Sequence, residues 1–162
     1  MPEITPLGWF HTALGIIALA SGLMCLIRYR FISTDHRSGL VYIAATFITA
    51  VTALGIYNQG GFGVAHVLGL LTLAALAVGG IAEKTNVFGG LSRYLQAISY
   101  SATFLFHMIP AITDGLMRLP VGNPVVTSIE DPLLRGFYLA FLVTYVMGVL
   151  VQVMAIRRSA AA

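Results

Sequence analysis

Four ionisable side chains interrupt long apolar runs in this 162-residue chain: His11, His66, His107 and Asp114. Hydrocarbon cannot satisfy such groups, so each must face protein or water, and each is a candidate for function. His11 and His66 fall about one helical turn inside their runs, roughly 6 Å at about 1.5 Å per residue. Asp114 falls at a similar depth in a later run. His107, seven residues earlier, lies roughly 10 Å deeper, too far to share one small ion with Asp114. Two chemistries suit these residue types at matched depth. His11 and His66 could be axial ligands of a haem b held between two helices, with Gly15, Ala18 and Gly69 leaving room for the macrocycle. Alternatively, His11, His66 and Asp114 could hold Zn²⁺ and leave a fourth position for water.

His107 and Asp114 belong to one stretch, Tyr94 to Leu119, that reads YLQAISYSATFLFHMIPAITDGLMRL. Wound at about 100° per residue, it places Gln96, Tyr100, Thr103, His107, Asp114 and Arg118 on one face. Ile98, Leu105, Ile109, Ile112 and Leu116 take the other. A polar stripe of that length on an apolar helix must face a protein interior or a water-filled space. Arg118 follows Asp114 at the spacing of a helical ion pair. Pro110 removes one backbone hydrogen bond and crowds the Phe106 carbonyl, so a kink is expected beside His107. A deep histidine beside a kink also suits a gated polar path.

The elements that position these residues follow from composition. The chain is 58% hydrophobic and 9% charged, with mean hydropathy +0.89, whereas soluble domains carry roughly 25% charged residues. Apolar runs of about 20 residues place it in the helical membrane class. The short alternating strands of an outer-membrane barrel are absent. The net charge of +3 gives no reason to expect nucleic acid, because the basic residues cluster at the ends of the runs. One cysteine, Cys25, permits neither an intramolecular disulfide nor a cysteine metal motif. The first segment lacks a basic region and carries Glu3, so the first run is expected to stay as a helix rather than leave as a signal peptide.

The runs predict an all-α membrane protein: one integral domain over 1–162, with five transmembrane helices at 7–28, 39–57, 62–82, 94–119 and 133–156. Ala18 and Gly22 mark a packing seam. Tyr42, Thr46 and Thr49 share a face of the second helix. Asn58-Gln59-Gly60-Gly61 reads as a tight turn, and Asp131-Pro132 as an N-cap followed by a first-turn proline. Arg28, Arg30, Arg37, Lys84, Arg93, Arg157 and Arg158 fall on one side of such a bundle, and only Arg118 and Arg135 on the other. That bias places the N-terminus outside and the C-terminus in the cytoplasm. A faint echo runs through the chain: LGIIALA from Leu14 returns as LGLLTLA from Leu68, and Ala45-Thr46-Phe47 as Ala102-Thr103-Phe104. A duplicated helical hairpin with an added fifth helix would produce it.

Several of these residues resemble a family of bacterial multi-pass proteins grouped as domain of unknown function 2306. The likeness rests on His11 with Gly15, on His36-Arg37-Ser38-Gly39 leading to Tyr42, on the Gly60-Gly61 turn, and on Arg118 ending the fourth helix. Ser92-Arg93-Tyr94 stands where that family has a histidine opening the fourth helix. The resemblance implies a compact helical membrane domain and carries over no catalytic residue.

The expectation is a bacterial inner-membrane protein with a polar, histidine-bearing pocket in its outer half, binding haem b or a metal ion in a redox-linked role. One alternative is a structural or accessory subunit, whose polar groups only tie helices together. Another is a small proton-coupled transporter, which five helices would build as a homo-oligomer. The lipid bilayer is the expected partner, with a second copy or another membrane protein beside it. Nucleophilic catalysis has little support, because Ser99 and Ser101 lie far in depth from His11 and His66.

Overall fold

The computed structural model describes residues 4–57 and 61–161. Glu3 and most of the expected 58–61 turn lie outside them. Among the described residues all regular structure is helical: α1 (Pro6–Tyr29), α2 (Arg37–Ala53), α3 (Val64–Lys84), α4 (Ser92–Arg118) and α5 (Pro132–Ala161), with a 3-10 turn at Gly89–Leu91 leading into α4. Four of these helices, α1, α3, α4 and α5, are long and apolar enough to cross a membrane. The fifth, α2, has 17 residues, about 25 Å of rise against a hydrocarbon core of about 30 Å. It is shorter than the 39–57 span expected from hydropathy. After Ala53 the amides of Leu54, Gly55 and Ile56 bond back only three residues, to Val51, Thr52 and Ala53, and the helix ends.

Local chemistry sets the other ends. Thr5 caps α1, its Oγ1 accepting the Gly8 N–H at 3.1 Å, with Pro6 at the first helical position, where a missing N–H removes no helical bond. Asp131 caps α5 in the same way, accepting the Leu133 N–H at 2.9 Å. Pro110 lies inside α4 and does not end it.

The bundle is apolar outside and small or polar inside. Ile16, Leu23, Met24 and Ile27 of α1 are exposed, as are Leu139, Val143, Met147 and Met154 of α5, whereas Tyr42, Thr46 and Thr103 are fully buried. Two hairpins, α1 with α2 and α3 with α4, make the most extensive contacts, and α5 lies on α4. Each hairpin closes a tyrosine ring over a glycine. A Cβ on Gly22 would stand 2.7 Å from Tyr42 ring atoms, and one on Gly79 would stand 2.6 Å from the ring of Tyr100. Only a hydrogen fits at either place, so these glycines set the distance between the helices. α5 is tied on by Tyr138 to Thr113 at 2.7 Å, and by Gln152, which meets Ser101 at 3.0 Å and donates to the Arg30 carbonyl at 2.6 Å.

Candidate functional site

The start of α1, the end of α4 and the segment after Arg118 meet at what we term the upper end of the bundle. They enclose a cavity of about 780 Å³. Its polar lining is His11 and Thr12 from α1, Thr49 from α2, and His107, Asp114 and Arg118 from α4. Its walls are apolar: Trp9, Ile16, Leu19 and Pro110 lie on the helices, and Val121 and Pro124 on the segment that covers it. That cover is pinned by the Val125 and Val126 amides, which donate to the carbonyls of Leu119 and Leu116 at 3.1 Å each. A smaller cavity of about 70 Å³ lies against His11 and His107 and reaches α3 at Gly69 and Thr72.

Each polar group of the main cavity has a defined anchor. His11 Nδ1 lies 3.1 Å from Thr52 Oγ1 on α2. The Thr52 hydroxyl already donates to backbone carbonyls, Ile48 at 2.9 Å and Thr49 at 3.0 Å. Its oxygen must therefore accept, and the neutral His11 ring carries its hydrogen on Nδ1, leaving a lone pair on Nε2. His107 is buried, with Nε2 3.1 Å from Thr46 Oγ1. Asp114 is largely exposed and pairs with Arg118 at 3.4 Å, the (i, i+4) spacing read from the sequence.

His66 does not join this site. Its Nδ1 accepts the Gly63 N–H at 3.1 Å at the start of its own helix. The ring lies against Tyr57 and Phe62, with centroids 4.7 Å and 5.0 Å away. It lines neither cavity. An imidazole that accepts at Nδ1 keeps its hydrogen on Nε2 and offers a metal no lone pair. The expected ligands His11, His66 and Asp114 are thus not gathered around one cavity: His11 and Asp114 line the main one and His66 does not. Among the described residues no three His, Cys, Asp or Glu side chains come together as a metal-binding group.

The stripe on α4 divides by height. Asp114, Arg118 and His107 belong to the cavity. Thr103 belongs to the mid-bundle contact with α2, 2.6 Å from the Tyr42 hydroxyl. Gln96 and Tyr100 belong to the lower end, where both donate to Glu83 of α3, at 3.2 Å and 3.0 Å. Glu83 had no assigned role in the sequence reading. Its Oε1 also accepts the Ser33 hydroxyl at 2.8 Å and the Thr34 N–H at 2.6 Å, from the loop after α1. The available signal was a carboxylate at the end of an otherwise apolar run. These two loop partners stand about 50 residues away in sequence.

The chain matches no family model, no curated protein and no solved structure.

Proposed function

We propose that the protein is a bacterial inner-membrane protein with five spans, N-terminus outside and C-terminus in the cytoplasm, whose upper cavity opens toward the outer leaflet and takes up one small amphiphilic molecule. One observation carries this reading. A single cavity joins the polar cluster of His11, Thr12, Thr49, His107 and Asp114 to walls of Trp9, Ile16, Leu19 and Pro110. Pockets that orient a ligand combine mostly apolar walls with a few convergent polar groups. The short α2 is counted as the fifth span because it packs between α1 and α3 and carries buried Thr46 and Thr49 inward. The likeness to the domain of unknown function 2306 family belongs to the same proposal and carries none of its argument.

The test is a photoreactive alkyl probe added to the protein in lipid nanodiscs. Crosslinks should concentrate on α1 and α4 around Trp9, Leu19 and Met117, and excess unlabelled amphiphile should remove them. Crosslinks spread evenly over α5, indifferent to competitor, would contradict the reading.

Haem b is the second reading, favoured by the two imidazoles, His11 and His107, that line one cavity. His11 would hold the iron through Nε2. His107 would contribute Nδ1, since its Nε2 is engaged by Thr46. A Soret band lost in His11→Ala would support haem over a free amphiphile. A colourless protein would remove this reading and leave the first untouched.

A further inference from the structure

We propose that the smaller cavity is a built water site, and that the water in it joins His11 of α1 to His107 of α4. This holds whatever the main cavity binds.

The smaller cavity has a volume of about 70 Å³, room for about two waters at about 30 Å³ of liquid each. It is too small for a head group with its tail. Cavities that stay dry are apolar, whereas a buried water needs roughly two to four polar partners. This one has a polar residue from each of four helices: His11 of α1, Thr49 of α2, Thr72 of α3 and His107 of α4. Thr49, Thr72 and His107 are buried. The hydrogens of three of the four are already committed. The Thr49 hydroxyl donates to the Ala45 carbonyl and the Thr72 hydroxyl to the Leu68 carbonyl, both at 2.7 Å. Each oxygen keeps a lone pair and has no hydrogen left to give. His11 spends its Nδ1 hydrogen on Thr52 and keeps a lone pair on Nε2. His107 holds Thr46 through Nε2, which leaves its Nδ1 to act as acceptor or donor according to the tautomer. Water both donates and accepts, so it serves the three acceptors and satisfies His107 in either form. The side chains of Ala53, Leu68 and Phe106, which complete the lining, offer no competing partner. His11 and His107 also line the main cavity. The two imidazoles therefore stand between that cavity and the water, and the water links them from behind.

The test is water-edited ¹⁵N NMR of histidine-labelled protein in lipid nanodiscs, which reads magnetisation transfer from water to each imidazole. His36, at the N-cap of α2 and outside both cavities, is the wet control. His66 is the dry one: it lines neither cavity, and among the described residues nothing accepts from its buried Nε2–H. His11 and His107 should both receive transfer, and His66 should not. Thr72 lines only the smaller cavity and Gly115 only the main one. Thr72→Leu should abolish transfer to His107, and Gly115→Leu should leave it. Thr72→Val keeps the shape of the side chain without its oxygen and should weaken transfer, so the prediction stands even where leucine prevents folding. His11→Phe should shift the His107 Nδ1 resonance in the wild-type background and leave it unmoved in Thr72→Leu. Absence of transfer to both rings in the wild type would overturn the proposal. So would transfer to His107 that Thr72→Leu and Thr72→Val leave unchanged. Transfer to His11 alone, or a His107 shift that persists in Thr72→Leu, would overturn the link between the two histidines.

Discussion

The Tyr100 hydroxyl donates to Glu83 Oε2 at 3.0 Å, tying α4 to α3 at the end of the bundle opposite the cavity. The other carboxylate oxygen collects Ser33, Thr34 and Gln96. Glu83→Gln replaces one acceptor by an amide NH₂, which must face a donor. Thermal unfolding in detergent should show a loss of about 1–3 kcal/mol. Tyr100→Phe removes a single bond to a charged group and should lose a comparable amount. The double variant should lose less than the sum, because both changes break the same contact. Additive losses, or none, would show that the contact does not hold the two helices together.

Gly79 and Gly80 are neighbours with opposite expectations. A Cβ on Gly79 would stand 2.6 Å from the Tyr100 ring, whereas one on Gly80 would meet only the Tyr100 hydroxyl, at 3.8 Å. Gly79→Ala should therefore destabilise by about 1–3 kcal/mol through overpacking. Gly80→Ala should be neutral or slightly stabilising, since alanine favours the helix by up to about 1 kcal/mol. Equal melting temperatures for the two variants would contradict the close approach of α3 and α4.

His66 and His11 should separate by function. His66 accepts its own helix's first amide and lies against Tyr57 and Phe62, so His66→Ala should loosen the start of α3. Faster amide exchange confined to that turn would show it, with probe binding at the cavity unchanged. His11→Ala should do the reverse. Loss of cavity binding in His66→Ala would restore the shared site that the structure separates.

The proposed orientation is checked by cysteine labelling. With buried Cys25 changed to alanine, Ser128→Cys should react with a membrane-impermeant maleimide in intact cells. Ser159→Cys should react only after permeabilisation. The opposite pattern would invert the bundle, and labelling of both in intact cells would remove one span.

The sequence made the helices legible because membrane-length apolar runs and polar caps are local signals. The Asp131 cap of α5 and the Asp114–Arg118 pair stand where their spacing put them. The inward face of α4 was legible for the same reason, through Tyr100, Thr103 and His107, all buried. What the stripe touches was not, because its neighbours change with height: Glu83 below, Tyr42 and Thr46 in the middle, the cavity above. Depth counting put His11 and His66 level, but depth does not fix which way a ring turns. A bond to Gly63 turns His66 back on its own helix. Glu83 was invisible as a hub because two of its partners, Ser33 and Thr34, come from a loop distant in the chain.

The chain has one tryptophan, Trp9, and both Trp9 and Gly115 of α4 line the cavity. Nothing lies within 4 Å of a Cβ built on Gly115, so Gly115→Leu should fill the cavity without moving the backbone, and leucine favours the helix. The measurement is Trp9 emission as 12-bromododecanol is titrated into nanodiscs holding either protein. The wild type should show saturable quenching, and Gly115→Leu should keep only the weak, linear quenching of a probe dissolved in lipid. Identical linear curves for both would mean that the space between α1 and α4 is not a binding site.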